Sequence, residues 1–194
     1  MFEMNIQPRK EIQILWENCV SGTDKLPEGY QVEKVEIFPE SVEVTGSDDL
    51  LEGLTSLPSE VIDIAGKDED VYTTIKLLAP EGVTLLTADT ISLIIRITEI
   101  MEKASFEAQN VELRNIPDGL SVEAFEEIRN VEMLVPYNTI STLTESHVKL
   151  YIDLSDLSAG EHELKIQCEV PVEFRADEII IEDDTAIVIM VEDN

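Results

Sequence analysis

The sequence predicts an all-β fold made of short strands. Apolar residues recur with a period of two along most of the chain, and many of them are β-branched, as expected for half-buried strands. Clusters of Pro, Gly, Asn and Asp separate these runs, as at residues 27–29 and 80–82. Many short strands divided by such turns are typical of an all-β domain. The alternating positions are Ile12, Ile14 and Trp16; Val35 and Ile37; Val42 and Val44; Ile179 and Ile181; and Ile187 and Ile189.

The chain repeats its own sequence after 90 residues. LPEGYQVE at residues 26–33 returns as IPDGLSVE at residues 116–123. Further matches follow at the same or a similar spacing, and a small drift of this kind is what loop insertions produce. We therefore predict two tandem copies of one module, residues 1–99 and residues 100–194. The further matches are 61–64 with 151–154, 74–76 with 164–166, and 89–91 with 184–186.

Each module is expected to contain one short helical turn. In the first, Ser47 is predicted to cap a turn that begins at Asp48 and Asp49. In the second, Asn138 is the predicted cap. The stretch 98–104 is interpreted as the end of a strand and a short connector between the modules, because no Gly/Ser-rich linker is present. The side chains expected to face inward are Leu50, Leu51 and Leu54 in the first module and Ile140 and Leu143 in the second.

The chain is strongly acidic. It has 42 acidic and 13 basic residues, a net charge of −29, while hydrophobic residues make up 43% of the chain, enough for packed cores. The charge is shared between the halves, with −12 over residues 1–98 and −17 over residues 99–194. Such a charge disfavours binding to nucleic acid and to anionic membranes. It leaves solubility, or a partner with a basic surface, as its interpretation.

The sequence contains no segment that is expected to cross a membrane. The longest apolar stretch, residues 91–97, is interrupted by Ser92 and Arg96 and is far too short. The first thirty residues do not have a signal-peptide pattern. If the natural protein is exported, we therefore expect this chain to be a fragment of it. Cys19 and Cys168 lie at non-equivalent positions of the two modules and are interpreted as small apolar core or half-buried residues.

No pattern of residues predicts catalysis. His147 and His162 lie outside any recognisable triad, and a zinc site would need several Cys or His at short spacing. His162 is expected in an exposed turn. Phosphate-binding glycine loops are absent. We therefore predict no catalytic, cofactor-binding or metal-binding residues and no cofactor.

The remaining candidates for a site are acidic or aromatic, and each has a structural interpretation. The acidic clusters, residues 68–70, 182–184 and 192–193, lack the spacing of a calcium loop and are interpreted as solvated turns. Asp63 and Asp153 are equivalent, and we expect each to hydrogen-bond the backbone of the turn that it begins. The Pro-Glu/Asp-Gly turns at 27–29 and 117–119 are interpreted in the same way. Trp16, the only tryptophan, is expected in the core.

With the repeat in view, the chain resembles tandem YbbR-like domains. In the first module the resemblance runs from GYQV at 29–32 through VEIFPESVEVTG at 35–46 and VIDI at 61–64 to PEGV at 80–83 and the strand at 91–97. In the second it rests on NIPDGL at 115–120, YIDLS at 151–155 and GEH at 160–162. VPY at 135–137 stands where the first module has TGS at 45–47, which is a departure from the pattern.

The resemblance implies a non-enzymatic, extracytoplasmic module that binds a protein partner. Members of this family typically follow a membrane anchor, and the best-understood role is regulation of a membrane-bound diadenylate cyclase, which makes cyclic di-AMP. The expected partner is such a cyclase or another cell-envelope protein. The alternative is a structural spacer or an adhesion array of the cell envelope. An acidic hydrolase or a Ca²⁺-dependent sugar binder is a third reading of the acidic residues.

Overall fold

The structure, a computed structural model, describes residues 7–125 and 128–193 of the chain. It divides into two compact units, Met1–Glu99 and Ile100–Asn194. Strands dominate both units, and α-helix among the described residues is confined to one short segment in each. The prediction of an all-β fold is confirmed.

The first unit is built around two antiparallel sheets and a short parallel pair. The sheets have the strand orders β1-β4-β7 and β3-β8-β6, and β2 pairs with β5 in parallel. A 3₁₀ turn, Trp16–Asn18, separates β1 from β2. The elements are β1 (Arg9–Gln13), β2 (Val20–Ser21), β3 (Tyr30–Phe38), β4 (Ser41–Thr45), α1 (Asp48–Gly53), β5 (Ile62–Asp63), β6 (Val71–Lys76), β7 (Thr84–Leu85) and β8 (Thr90–Glu99).

The second unit has the strand orders β14-β12-β9-β11-β15 and β10-β16-β13. Within the larger sheet, β12 pairs with β9 in parallel and β11 pairs with β9 antiparallel. Two 3₁₀ turns, Glu145–His147 and Val172–Phe174, complete it. The elements are β9 (Met101–Arg114), β10 (Leu120–Ala124), β11 (Ile128–Pro136), α2 (Tyr137–Ile140), β12 (Lys149–Asp153), β13 (Gly160–Lys165), β14 (Gln167–Glu169), β15 (Asp177–Ile181) and β16 (Thr185–Glu192).

The two units share one topology. The orders β1-β4-β7 and β3-β8-β6 of the first unit correspond to β9-β11-β15 and β10-β16-β13 of the second. The parallel pair β2·β5 corresponds to β9·β12. The single strand β9 therefore replaces both β1 and β2. A register shift beside Ala108, which has φ +53°, stands in β9 where the first unit has its 3₁₀ turn.

The strand register corrects one of the matches between the copies. Lys76 pairs with Thr90, and Lys165 pairs with Thr185. Lys76 and Lys165 are therefore equivalent, because Asp89-Thr90 and Asp184-Thr185 begin equivalent strands. The match of residues 74–76 with 164–166 was wrong by one residue, because a match of three residues is too short to determine the register.

Each unit has its own buried core, formed by the inward faces of its strands. The core of the first unit consists of Ile12, Cys19, Val20, Val42, Val44, Leu51, Leu57, Ile64, Ile75, Leu77, Val83, Ile91, Leu93, Ile95 and Ile97. The core of the second consists of Ala104, Val111, Val131, Met133, Val135, Leu143, Val148, Leu150, Ile152, Leu154, Ile166, Phe174, Ala186, Val188 and Met190.

The period of two predicted the wrong residues near both ends of the chain. The alternation of Ile12 and Ile14 does not extend to Trp16, because β1 ends at Gln13 and Trp16 begins the 3₁₀ turn. Trp16 still packs against the core, although it is only half-buried. In β16, Ile187 is 56% exposed, and the buried face is instead Ala186, Val188 and Met190. Residues 186–191 are all apolar, so the run itself does not distinguish the two faces.

The short helices occur where expected, with different caps. Ser47 is the N-cap residue of α1, but its side chain forms no capping hydrogen bond. Leu51 is buried, whereas Leu50 is 45% exposed, because a helix this short turns only part of its surface inward. The N-cap of α2 is Pro136, so the prediction of Asn138 was wrong.

Apart from Leu50, the residues expected to face inward near these helices pack as predicted. Leu54 and Ile140 are partly buried against the cores, and Leu143 is buried.

Gly22 follows β2 with φ +77° and lies against the β5 turn. A Cβ atom at this position would be 2.3 Å from the Asp63 carboxylate and 2.7 Å from the backbone nitrogen of Ala65. Gly66 has a similar φ of +72°, but a Cβ atom there would meet nothing within 4 Å. The two glycines therefore separate the effect of a left-handed backbone from the effect of a close approach.

We predict that Gly22→Ala destabilises the first unit more than Gly66→Ala does. Gly66→Ala should cost only the left-handed strain, about 1–2 kcal/mol. Gly22→Ala adds a clash that should cost about 1–3 kcal/mol more. Urea unfolding of both variants measures the difference. Equal free energies of unfolding would contradict the role of the close approach.

Candidate functional site

The equivalent aspartates Asp63 and Asp153 stabilise turns. Asp63 Oδ1 accepts a hydrogen bond from the backbone N–H of Ala65 at 3.0 Å, and Asp153 Oδ1 accepts one from Ser155 at 3.0 Å. Each aspartate therefore fixes the turn that follows it, as in an Asx-turn. This confirms the structural interpretation of the pair.

Asn115 adds a contact to this turn that the first unit lacks. Its side-chain Nδ2 donates to Asp153 Oδ1 at 3.0 Å. Asn115 has φ +58° and follows β9 at the place where Gly22 follows β2. The second unit therefore has a side chain that donates to the aspartate at the position where the first unit has a glycine. The hydrogen bond from Asn115, followed by that from the Ser155 backbone, lowers the pKa of Asp153 below its ordinary value.

The Pro-Glu/Asp-Gly turns are also confirmed as local structure. Gly29 and Gly119 have φ +86° and +82°, a conformation that favours glycine. The N–H of Tyr30 donates to the carbonyl of Pro27 at 3.1 Å, and the N–H of Leu120 donates to the carbonyl of Pro117 at 3.2 Å.

The two histidines have structural partners. The backbone N–H of Thr144 donates to His147 Nδ1 at 3.1 Å, and the imidazole packs against Phe174 at 4.7 Å between ring centroids, with the ring planes tilted by 44°. His162 lies in β13, not in an exposed turn, and is half-buried. Its Nε2 donates to the carbonyl of Ser158 at 2.8 Å.

Three residues of the acidic clusters contact partners that lie apart from one another. Asp70 binds Arg96, Glu182 accepts from Asn130 Nδ2 at 2.7 Å, and Asp184 lies 3.4 Å from Lys165 Nζ. Within residues 7–125 and 128–193, no group of three or more His, Cys, Asp or Glu side chains is placed to hold a metal ion. The absence of catalytic, cofactor and metal sites stays a prediction.

Arg96 is the centre of a network of contacts on the outer face of the β3-β8-β6 sheet. The sequence alone did not indicate this network. Its Nη1 donates to Asp70 Oδ2 at 2.6 Å and to the Tyr72 hydroxyl at 2.5 Å. Asp70 also accepts from the backbone N–H of Ile97 at 3.0 Å. The Arg96 hydrogen bond, and then that from Ile97, lowers the pKa of Asp70. Lys34, at 2.7 Å, lowers the pKa of Glu36 on the same face.

Arg114 forms similar contacts in the second unit, at the end of the non-equivalent strand β9. Its Nη1 binds Glu169 at 3.0 Å and its Nη2 binds Glu112 at 3.4 Å. Its guanidinium lies 3.9 Å from the centroid of the Tyr151 ring. The contact with the Tyr151 ring joins the end of β9 to β12, and the ion pair with Glu169 joins it to β14.

Arg129 is buried although it is charged. It is 7% exposed, and it donates to three backbone carbonyls, those of Asp183, Ile128 and Thr185, at 2.8–3.2 Å. Asp183 has φ +52°, so Arg129 holds the strained turn before β16. Only its place in an alternating strand pattern could have indicated burial, and its charge argued against it.

The two thiols are free and sheltered. Cys19 is buried, which confirms its core assignment, and the Ser59 hydroxyl donates to its Sγ at 3.3 Å. Cys168 is half-buried on β14, and burial raises the pKa of its thiol to about 11.

A cavity of about 510 Å³ lies beside β3 in the first unit. Its wall combines a strand edge with apolar side chains: Gln13, Ile14, Trp16, Lys34, Val35, Glu36, Ile37, Phe38, Glu40, Ser92 and Ile94. Phe38 on its rim is 78% exposed. The described lining contains two carboxylates, those of Glu36 and Glu40, and neither His nor Cys.

A second cavity, of about 410 Å³, lies on the large sheet of the second unit. It contains the exposed Ile180 among carboxylates, and its described lining is Ser105, Phe106, Glu107, Asn130, Val131, Glu132, Ile180 and Glu182. Lys103 is ion-paired with Glu132 at 2.6 Å.

Residues 20–95 match the model of the family described as YbbR-like protein. This part of the chain is therefore similar to a YbbR-like domain. The match covers β2 through most of β8, including the Asp63 turn. The resemblance predicted from the sequence is confirmed.

A curated relative and two solved structures also carry similarity to this chain. The chain is 29% identical over 166 residues to the "CdaA regulatory protein CdaR" of Bacillus subtilis (strain 168), covering 78% of this chain and 32% of that protein. A YbbR-like domain from Listeria monocytogenes has 20% identity and a TM-score of 0.43, covering 48% of this chain and 96% of that chain. A YbbR-like protein from Streptococcus pneumoniae has 12% identity and a TM-score of 0.31, with full coverage of both chains.

The family match and the curated relative support a YbbR-type regulatory or structural domain and favour a non-catalytic role. The chain spans about one third of the length of the curated relative that it matches. In the described part of the chain, no helix has the length and apolarity that a membrane crossing requires.

We predict that Asp153→Asn reduces the thermal stability of the second unit at neutral pH. The carboxylate accepts hydrogen bonds that hold its folded pKa below the unfolded value, so it stabilises the fold above that value. This contribution is lost as the pH falls through the folded pKa. The difference in Tm between the wild-type chain and the variant should therefore be constant near neutrality and shrink below about pH 4.

The control for this prediction is Glu163→Gln, which changes an exposed carboxylate on β13. Its Tm should follow that of the wild-type chain across the same pH range. A difference for Asp153→Asn that does not depend on pH would contradict the role of ionisation.

We also predict that Cys168 resists alkylation in the folded chain. With a thiol pKa of about 11, less than about one per cent is thiolate at pH 8, and the thiolate is the reactive form. Mass spectrometry after iodoacetamide treatment should show slow modification of Cys168 in buffer and rapid modification in denaturant. Equal rates in both conditions would contradict its sheltered state.

Proposed function

We propose that this chain is a non-enzymatic regulatory module that binds a protein partner outside the cytoplasm, and that the partner is a membrane-bound diadenylate cyclase. The similarity to a protein named as the regulator of CdaA carries this proposal. The second unit, which shares the topology of the YbbR-like domain, is proposed to be a second YbbR-like module of the same ectodomain.

The surface of the first unit supports protein binding. The cavity beside β3 combines the exposed Phe38 and the half-buried Trp16 with a strand edge. Regulation then acts through different affinities for two states of the cyclase, because a bound module shifts an equilibrium only by its difference in affinity.

The test is the level of cyclic di-AMP in cells that express the cyclase with a membrane-anchored protein carrying residues 1–194. The control carries the same anchor without these residues, and both proteins must be detected in the membrane. We expect the level to differ by about fivefold or more, the lower range of typical couplings between sites. Equal levels would contradict the proposal.

The duplicated topology favours a second candidate, a structural spacer of the cell envelope. Two successive modules with the same strand order extend a chain by repetition. A spacer predicts that cyclic di-AMP is unchanged and that other folded modules of similar size can replace this chain without effect. The same cellular measurement therefore separates the two functions.

A further inference from the structure

The strand β3 has an open edge. It forms the end of the β3-β8-β6 sheet and pairs, among the described strands, only with β8. A strand edge carries backbone N–H and C=O groups that can pair with another extended chain.

The register shows which groups point outward. The backbone N–H of Ile97 in β8 donates to Asp70, on the side of β6. Because successive residues of a strand direct their backbone groups to opposite sides, Ile94 and Arg96 direct theirs toward β3. Their partners Glu36 and Lys34 are therefore hydrogen-bonded.

The intervening residues of β3, Val35 and Ile37, direct their N–H and C=O groups away from β8 by the same alternation. Both residues line the 510 Å³ cavity. The cavity therefore lies where two residues of an open strand edge present donors and acceptors to an incoming chain.

The cavity also provides contacts for side chains. Ile14, Trp16 and Phe38 form its apolar part, and Phe38 is 78% exposed. An added strand places alternate side chains on one face, where this apolar area can receive them. Strand addition thus supplies affinity through the backbone and selectivity through the pocket.

The charges around the cavity indicate whether an acidic or a basic segment binds there. Lys34, the basic residue among the lining residues, is ion-paired with Glu36 at 2.7 Å, which leaves the exposed Glu40. Residues 1–98 carry −12 in all. A cationic segment is attracted to this region, whereas a second copy of the chain, with a net charge of −29, is repelled.

We propose that the β3 edge binds an extended, basic segment of a partner protein in which apolar residues alternate with Lys or Arg. The segment adds to the sheet beside Val35 and Ile37 and places its apolar side chains against Trp16 and Phe38. This assignment rests on the proposed function in one respect, that the module works by binding a protein.

The probe is an acetylated and amidated peptide of eight alternating lysine and valine residues. Trp16, the only tryptophan of the chain, lines the cavity and reports binding through its fluorescence. The first control peptide has the same sequence with N-methyl groups on all of its backbone amides, so it keeps the charge and loses the backbone donors along both of its edges. The second replaces lysine with glutamate.

We expect saturable binding of the lysine–valine peptide and an affinity at least about tenfold lower for the N-methylated peptide, the loss that one or two hydrogen bonds produce. The glutamate–valine peptide should not bind. Equal binding of the methylated and unmethylated peptides would show attraction by charge alone and would overturn the proposal.

Hydrogen exchange locates the peptide. The amides of Val35 and Ile37 should become about tenfold more protected on binding, while that of Glu36, already paired, changes little. Protection at another edge, such as β15, with none at Val35 and Ile37 would overturn the assignment to β3. Peptide-independent protection that rises with protein concentration would instead identify a second copy as the occupant, which also overturns it.

A matched pair of charge variants tests the location in a second way. Glu40→Lys and Glu163→Lys change the net charge equally, but only Glu40 lies at the cavity. Glu40→Lys should weaken the peptide by about fivefold at low salt, and Glu163→Lys by less than about twofold. Equal effects would contradict a local site.

The peptide experiment and the cellular experiment can fail independently. Peptide binding at β3 without a change in cyclic di-AMP contradicts the cyclase proposal and retains the docking edge. A change in cyclic di-AMP without protection of Val35 and Ile37 retains the cyclase proposal and contradicts the docking edge.

Discussion

Each unit depends on a short parallel strand pair that must end in the same tight turn. β2 pairs with β5 in the first unit, and β9 pairs with β12 in the second. An aspartate closes the turn after the later strand by accepting a backbone N–H. The chain leaving the earlier strand passes against this carboxylate, so it requires either Gly22 without a Cβ atom or Asn115 with an amide that donates to it. Gly22 and Asn115 are two different residues that both fit beside the carboxylate. The aspartate recurs in both copies because it accepts the backbone N–H of the turn that follows it.

Arginine side chains on the strands offset part of the large negative charge. Arg96 and Arg114 each combine carboxylate contacts with a tyrosine ring on an adjoining strand. These cations link neighbouring strands across a sheet face, which a surface of mutually repelling carboxylates would otherwise destabilise. Arg129 acts from within the core, where its guanidinium satisfies backbone carbonyls around a turn. These three arginines therefore have structural roles, and most of the carboxylates remain on the surface.

The residues beside the open edge of β3 depend on the turn that follows β1 in the first unit. The first unit interrupts its first strand with the turn at Trp16–Asn18, and this interruption places Ile14 and Trp16 at the cavity beside β3. The second unit runs through the corresponding region in the continuous strand β9, and its cavity lies on a different sheet, against β9, β11 and β15. One topology thus presents two different surfaces, because a local change from a turn to a strand bulge alters what lies beside each edge.

The sequence by itself determined the all-β class, the repeat, the Asp63 and Asp153 turns and the family resemblance. Each of these follows from local order, in which turn residues and alternation act over a few positions. Only the tertiary structure decided which face of residues 186–191 is buried, that Trp16 leaves the strand pattern, and that Lys76 aligns with Lys165 rather than with Ile166. The β3 edge and the burial of Arg129 belong to the same class. The physical reason is that strand partners come from distant parts of the chain, and pairing alone determines which groups are satisfied and which remain available.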